Sequence, residues 1–219
     1  MKSRDKAEVS TRLTAIGIIP VVRAESTEMG RRAVAAILKG GISVLEITMT
    51  VPGAVRMIEE LSAEVDPEVI IGAGTVLDAQ TARACIDAGA QFIVSPALDL
   101  GTIALCGQQG ILVMPGVLTP TEVVTAWTAG ADFVKIFPAG AVGGASYLTA
   151  LKAPLPQVKM VPTGGVSLQN AATFIKAGAE ALGIGGDLVD TKALREGRDD
   201  LITERARLFV DIVQQARAK

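Results

Sequence analysis

One lysine and one glutamate lie inside runs of apolar, β-prone residues, where charged side chains are normally excluded. Lys135 is part of "DFVKIFPAG" (132–140), and Glu46 is part of "VLEITMT" (44–50). A poorly solvated lysine is driven toward its neutral form, and a neutral amine can attack a carbonyl carbon to give a Schiff base. A nearby carboxylate opposes that effect, but it can also move protons as a general acid or base. The pair therefore predicts amine-based covalent catalysis at a carbonyl group.

Two structural explanations of the same residues stay open. Lys135 could lie on an edge strand and point at water, or Lys135 and Glu46 could form a buried ion pair. A buried ion pair is weak evidence for stability, because the loss of hydration offsets the attraction.

The chain contains no histidine. Ser-His-Asp hydrolases, Cys-His proteases and His-ligated zinc centres are therefore excluded, whereas a Mg²⁺ ion held by carboxylates is not. General acid–base work must fall to Glu, Asp, Lys, water or the single tyrosine, Tyr147.

Composition predicts one well-packed domain over residues 1–219, with 49% hydrophobic and 20% charged residues. A net charge of −2 and an aromatic content of 3% argue against a nucleic-acid partner. The polar start "MKSRDKAEVSTRL" and the lack of a long apolar run argue against a signal peptide and a membrane span. The two cysteines fall in predicted helices and suggest no disulfide framework. We expect a cytoplasmic protein with a small-molecule partner.

Short β-branched runs alternate with amphipathic helical segments. The predicted strands are 17–23, 44–50, 69–75, 92–96, 111–117, 133–138, 159–166 and 181–189. The predicted helices are 28–39, 53–64, 79–88, 98–109, 120–129, 145–152, 168–177 and 198–217. Eight β/α units without a linker predict an α/β fold with a parallel sheet, closed as a (β/α)₈ TIM barrel. Residues 3–15 predict an extra N-terminal helix over the barrel's N-terminal mouth. Asp78, Thr119 and Ser167 are the predicted N-caps, and Glu122 gives Thr119 the spacing of a capping box.

Alternation along the strands assigns side chains to faces. The helix-facing side must be apolar, so Leu45, Ile47 and Met49 point outward, as do Val134 and Ile136. The barrel interior then receives the remaining side chains of these strands: Glu46, Thr48, Thr50, Phe133, Lys135 and Phe137. The same alternation places Arg23 and Thr75 inside. These polar groups meet near the C-terminal ends of strands, where barrels of this kind carry their active sites.

Six motifs in order resemble the 2-keto-3-deoxy-6-phosphogluconate (KDPG) and 4-hydroxy-2-oxoglutarate (KHG) aldolase family. They are "LEITMTVPGA" (45–54), "IGAGTV" (71–76), "IVSPALD" (93–99), "VMPGVLTPTE" (113–122), "FVKIFPA" (133–139) and "VPTGGV" (161–166). The similarity runs from about Ile16 to the last helix. It implies a class I aldolase without metal or cofactor, usually a homotrimer, that releases pyruvate from a keto acid. It also implies that Lys135 forms the Schiff base and that Glu46 is the proton shuttle.

The resemblance implies further binding residues. Thr75 and the backbone around Pro96 match positions that hold the pyruvate carboxylate, and Phe137 lines the pocket. Some relatives have an arginine where this chain has Thr50, so Arg23 could supply the missing charge. Arg23 could equally form a salt bridge with a carboxylate such as Glu46.

The residues that could bind the phosphate of a substrate follow the last two predicted strands. Gly164, Gly165, Gly185 and Gly186 could cradle a phosphate with backbone N–H groups, or could simply form tight turns. Asp187 stands where the family often has serine, and its carboxylate would repel a phosphate unless it points away or caps a helix. The first expectation is a 2-keto-3-deoxy-6-phosphogluconate substrate, cleaved to pyruvate and glyceraldehyde 3-phosphate. The alternatives are KHG and 2-keto-3-deoxy-6-phosphogalactonate. A sugar-phosphate epimerase or decarboxylase, or a non-catalytic ligand-binding barrel, would belong to a different class.

Overall fold

Strands and helices alternate through residues 5–218, the part of the chain that the computed structural model describes. The strands are β1 (Ile18–Val22), β2 (Val44–Thr48), β3 (Ile70–Gly74), β4 (Phe92–Val94), β5 (Leu112–Met114), β6 (Gly116–Val117), β7 (Val134–Ile136), β8 (Met160–Pro162) and β9 (Leu182–Ile184). The helices are α1 (Lys6–Ile16), α2 (Thr27–Lys39), α3 (Ala54–Glu64), α4 (Ala79–Asp87), α5 (Leu100–Gln109), α6 (Pro120–Thr128), α7 (Ala145–Lys152), α8 (Ala171–Lys176), α9 (Thr191–Arg195) and α10 (Asp199–Arg217). A short 3₁₀ helix covers Ala139–Val142.

The strands form two parallel sheets that curl toward each other. One sheet has the order β5-β4-β3-β2-β1-β9, and the other has the order β6-β7-β8. Only Pro115 separates β5 from β6, and its carbonyl accepts the N–H of Lys135 at 2.9 Å. At the other edge, Thr163 forms an isolated parallel bridge with Gly183. The helices therefore lie outside a curled wall of parallel strands, as the alternation of elements predicts.

Each strand separates an inner layer of side chains from an outer one. The outer layer packs with the helices and includes Leu45 and Ile47 as well as Val134 and Ile136, so the predicted outward faces are confirmed. The inner cluster contains one or two apolar residues from most strands: Ile19, Val44, Ile70, Phe92, Val94, Leu112, Met114, Phe133, Val161 and Ala181. Val9 and Leu13 of α1 belong to the same inner cluster. The interior is thus filled by apolar side chains at the end of the sheets near α1.

The helix expected over residues 3–15 spans Lys6–Ile16, and its predicted first residues, 3 and 4, lie outside the described residues. Asp78 and Thr119 cap α4 and α6, and the capping box with Glu122 is present. Ser167 is not an N-cap. Its N–H donates to Asn170 Oδ1 at 2.8 Å, so residues 167–170 form a turn and α8 begins later than predicted.

The predicted strands were too long, and the excess falls mainly at their C-terminal ends. The fifth predicted strand is interrupted at Pro115, which has no N–H to donate to a neighbouring strand. The seventh ends at Pro162, because Gly164 and Gly165 turn the chain with left-handed φ values of 84° and 80°. The 3₁₀ helix at Ala139–Val142 and α9 at Thr191–Arg195 were missed; both fall in short segments between predicted elements.

Both cysteines, Cys85 and Cys106, are free and buried. Within residues 5–218, no group of three or more His, Cys, Asp or Glu side chains is arranged to hold a metal ion. None of the helices in this part of the chain is long and apolar enough to span a membrane.

The contact between α2 and α10 gives a test of the packing. Gly40 ends α2, and a Cβ atom there would overlap the Cβ of Ala206 and lie 2.9 Å from the carbonyl oxygen of Thr203. Gly40→Ala should therefore lower the free energy of unfolding by about 1–3 kcal/mol, as overpacking does. A Cβ atom added to Gly107 in α5 would have no other atom within 4 Å. Gly107→Ala should therefore raise the free energy of unfolding by about 0.5–1 kcal/mol.

Urea unfolding of the two variants and the wild type measures both effects. Equal stability of Gly40→Ala and the wild type would contradict the close approach of the two helices.

Candidate active site

Lys135 lies at the centre of the smaller sheet. It is paired in register with Gly116 on one side and with Val161 on the other, and its side chain is buried, with 3% of the residue exposed. The ammonium nitrogen lies 5.2 Å from the ring centroid of Phe137. Its side chain forms no hydrogen bond or ion pair with the described residues. Neither open structural explanation holds, because Lys135 is not on an edge strand and is not ion-paired with Glu46.

Glu46 occupies the inner face of β2 and is 2% exposed. Its side chain lies across Gly74, where any Cβ atom would overlap the carboxyl group. Atom Oε1 is buried and has no hydrogen-bond partner in residues 5–218. Burial raises the pKa of Glu46, although the charges of Lys135 and Arg23 act in the opposite direction. A carboxyl group with a raised pKa holds its proton closer to neutral pH, as a general acid or base requires.

The two phenylalanines next to Lys135 have different surroundings. Phe137 is half-buried and contacts the ammonium group. Phe133 belongs to the inner apolar cluster, and its ring lies 5.2 Å from the nitrogen of Lys159 instead. Lys135 is therefore not flanked by two rings, because Phe133 faces the opposite end of the sheet.

Thr50 is not inside the sheet as predicted. Strand β2 ends at Thr48, and Thr50 is exposed in the following turn. The hydroxyl of Thr48 donates to the carbonyl of Val22 at 3.0 Å, and the two threonine hydroxyls lie 2.7 Å apart. Since Thr48 has only one hydroxyl proton, Thr50 is the donor in that pair and its own oxygen can only accept a further hydrogen bond. Thr48 is thus a buried positioning group that the motifs alone did not single out.

Thr75 and Pro96 follow two neighbouring strands. Thr75 comes directly after β3, half-buried, with a left-handed φ of 58° that β-branched residues rarely adopt. Such strain is found mainly where the surrounding structure fixes a functional conformation. Pro96 follows β4, also half-buried, and its carbonyl packs against Gly116, where any Cβ atom would overlap it. Both residues therefore lie at C-terminal strand ends, beyond the strands in which they were predicted.

A cavity of about 320 Å³ opens at the C-terminal ends of β8 and β9. It brings together all five residues predicted for the phosphate end of the substrate: Gly164, Gly165, Gly185, Gly186 and Asp187. Arg23 and Phe137 line it too, and so does Thr163, which is buried at the bridge with Gly183. Phe137 connects this cavity to Lys135, whereas Glu46, Thr50, Thr75 and Pro96 do not line it.

Arg23 lies one residue beyond β1 and is exposed, so it is not inside the first strand as predicted. It forms no ion pair with any carboxylate of the described residues, which excludes the salt bridge with Glu46 considered above. Val21, two residues before Arg23 and pointing to the same side of the chain, lines the same cavity. The guanidinium group is therefore available to an anionic ligand.

Asp187 turns its carboxylate toward the loop that follows β8. Oδ2 accepts the N–H of Leu168 at 3.0 Å, and the Asp187 carbonyl accepts a hydrogen bond from Arg205 at 3.1 Å. The side chain thus fixes a loop and does not cap the next helix. It nevertheless remains part of the cavity wall.

Comparison with known proteins agrees with this geometry. A family model described as "KDPG and KHG aldolase" matches residues 9–205. The chain is 37% identical to the KHG/KDPG aldolase of Escherichia coli K12, over 94% of this chain and 96% of that protein. It is 34% identical to the 2-dehydro-3-deoxy-phosphogluconate aldolase of Treponema pallidum, over 92% and 95% of the two chains.

A solved structure gives the same result. It is a KDPG aldolase from Legionella pneumophila with pyruvate captured at low pH as a covalent carbinolamine intermediate. The match has a TM-score of 0.81 and 29% identity and covers 94% of this chain and 98% of that one. The chain therefore belongs to the KDPG and KHG aldolase family, a family of carbon–carbon lyases.

Proposed function

We propose that this chain is a class I aldolase that cleaves the C3–C4 bond of a 2-keto-3-deoxy acid and releases pyruvate. Lys135 is the Schiff-base nucleophile, and Glu46 is the general acid and base. The observation that carries the proposal is a buried lysine that has no ion-pair partner in the described part of the chain and lies beside an open cavity, together with a buried carboxyl group whose pKa is raised. The captured carbinolamine of the Legionella enzyme supports the same chemistry here.

The reaction steps follow from the chemistry of Lys135 and Glu46. The neutral amine of Lys135 attacks C2 of the keto acid, and the carbinolamine loses water with a proton from Glu46, leaving an iminium ion. The resulting carboxylate then takes the proton of the C4 hydroxyl, through a water molecule or directly. The electrons of the C3–C4 bond move into the iminium and give an enamine as the aldehyde leaves. Protonation at C3 and hydrolysis of the new iminium release pyruvate and restore Lys135.

Residues that follow the strands bind the carboxylate of the keto acid. Thr75 and the backbone around Pro96 hold the carboxylate in this proposal, at the ends of adjacent strands. Arg23 supplies positive charge, which its lack of an ion pair with the described residues supports. Thr50 contributes a hydrogen-bond acceptor, since its proton is used by Thr48.

The end of the substrate that lies away from the keto group separates the phosphorylated candidates from the unphosphorylated one. Gly164 and Gly165 line the cavity with left-handed φ values, and this supports a cradle of backbone N–H groups for a 2-keto-3-deoxy-6-phosphogluconate substrate, which would give glyceraldehyde 3-phosphate. The names of the relatives support KHG as one alternative and 2-keto-3-deoxy-6-phosphogalactonate, which would use the same steps, as another. All three share the chemistry at Lys135. KHG lacks the phosphate, and the two phosphorylated acids differ only in configuration at C4.

The architecture is part of the same proposal. Hydrogen bonds at both edges of the two sheets support a closed (β/α)₈ barrel. Val9 and Leu13 in the inner cluster support α1 as a plug at its N-terminal mouth. The family resemblance supports a homotrimer, and the cytoplasmic location stays a prediction from the sequence.

Borohydride trapping tests the nucleophile. Incubation with pyruvate and borohydride should reduce the Schiff base and leave a stable adduct on Lys135, located by mass spectrometry of the digested protein. Lys135→Ala should lose the adduct and the aldolase activity while keeping its circular dichroism spectrum. An epimerase-like or non-catalytic barrel would give no adduct.

Lys159 provides the matched control. Its nitrogen also lies 5.2 Å from a phenyl ring, but that ring belongs to Phe133 in the inner cluster. Lys159→Ala should trap pyruvate as the wild type does. Labelling of Lys159 instead of Lys135, or unfolding of Lys135→Ala, would contradict the assignment.

The pH dependence tests Glu46. Its pKa in the folded protein is raised above the ordinary value of 4.5, so the folded chain binds more protons than the unfolded chain between the two values. Stability should therefore fall as the pH rises through that window, and the full penalty should persist above it. Glu46→Gln cannot ionise, so it should become progressively more stable relative to the wild type from about pH 4 upward, as urea unfolding would measure.

The same substitution should reduce kcat by about 10²–10⁴-fold and remove from the pH–rate profile the limb that reports the ionisation of Glu46. Glu204→Gln on the exposed face of α10 should change neither quantity. A pH-independent stability difference between Glu46→Gln and the wild type would contradict the buried state of this carboxyl group.

A further inference from the structure

The charges that line the cavity have opposite signs. Among the described residues of its wall, Arg23 is the one cation and Asp187 is the one anion. Arg23 lies just after β1, on the same side as Val21, and Asp187 follows Gly185 and Gly186 after β9. The cavity therefore presents a cation at one part of its wall and a carboxylate at another.

Asp187 is held in place from two directions. Its Oδ2 accepts the N–H of Leu168 at 3.0 Å, and its carbonyl accepts the guanidinium of Arg205 at 3.1 Å. Arg205 is in turn 3.3 Å from the carboxylate of Asp190, so its charge is shared with a second acid. The N–H of Leu168, which directly follows the cavity-lining residues 164–167, is consequently occupied by a side chain of the protein.

This arrangement suits a hydroxyl group better than a phosphate. A carboxylate offers about four acceptor positions and no donor at neutral pH, and the bond from Leu168 uses one of them. A substrate hydroxyl can donate to the remaining positions, whereas a phosphate dianion would meet a like charge and one fewer backbone donor. Gly185 and Gly186 have no atom within 4 Å of where a Cβ would lie, so there is open space beside Asp187 for the end of a carbon chain.

We propose that Asp187 determines the specificity of the far end of the site by accepting a terminal hydroxyl and disfavouring a phosphate. The substrate class is then an unphosphorylated 2-keto-3-deoxy sugar acid, whose cleavage gives pyruvate and glyceraldehyde. This inference rests on the proposed aldolase function and replaces its phosphorylated substrate with an unphosphorylated one.

The test uses condensation of pyruvate with two aldehydes that differ only in the phosphate. At saturating pyruvate, the wild type should show kcat/KM for glyceraldehyde at least tenfold above that for glyceraldehyde 3-phosphate. Asp187→Ser should move this ratio at least tenfold toward the phosphorylated aldehyde, mainly through KM. Asp187→Asn should do the same in part, and its side-chain oxygen can still accept the N–H of Leu168 and keep the loop in place.

Asp211→Asn is the matched control for net charge, because Asp211 is exposed on α10 and does not line the cavity. It should leave the ratio unchanged. Raising the ionic strength should weaken the discrimination of the wild type against the phosphorylated aldehyde, since repulsion at a solvent-open site is screened. A wild type that prefers glyceraldehyde 3-phosphate, or a ratio unchanged in both Asp187 variants, would overturn the inference.

Borohydride trapping with pyruvate alone separates the two proposals, because pyruvate does not reach the far end of the site. An adduct on Lys135 combined with an unchanged aldehyde ratio would refute the role of Asp187 and leave the aldolase proposal intact. Absence of the adduct in the wild type would refute the aldolase proposal, and the specificity inference with it.

Discussion

An amine and a carboxyl group are held out of water without an ion pair between them. Lys135 and Glu46 are both almost completely buried, and Glu46 Oε1 lacks a hydrogen-bond partner among the described residues. Burying an ionised group costs several kcal/mol even after relaxation, so stability alone would not select this arrangement. The cost is offset by the apolar layers on both sides of the strands. The site is thus a local departure from good packing that the rest of the fold must support.

The position of each side chain along its strand separates the reactive groups from the apolar interior. On β2, Val44 joins the inner apolar cluster and Glu46, two residues later, reaches the reactive end; Phe133 and Lys135 repeat the pattern. Apolar side chains therefore fill the end near α1, and polar ones occupy the end where the chain leaves the strands. Glycines make room at that end: Gly74 lies under the carboxyl of Glu46 and Gly183 under Thr163. Rigid strands hold the reactive groups, and the loops beyond them form the cavity.

The sequence predicted the alternation of strands and helices, and it predicted that Glu46 and Lys135 face the inside of the sheets. The side of a strand that faces the helices must be apolar, so the polar residues at alternate positions must point inward. It did not predict where strands end. Thr50, Thr75 and Arg23 all lie beyond their strands, since pairing with a neighbouring strand sets each boundary. Ser167 is not a cap because residues 167–170 form a turn, in which Asn170 Oδ1 accepts the N–H of Ser167, and the helix begins only at Ala171. The hydrogen bond from Leu168 to Asp187 joins two loops, and no local pattern reports such a contact.

The central claim is that the nitrogen of Lys135 bonds covalently to the keto carbon of the substrate. A crystal structure after soaking with pyruvate tests it most directly. The account predicts continuous density between Nζ of Lys135 and C2 of pyruvate, with the carboxyl of Glu46 facing the new bond. Pyruvate bound elsewhere, or a Lys135 side chain turned into bulk solvent, would contradict it.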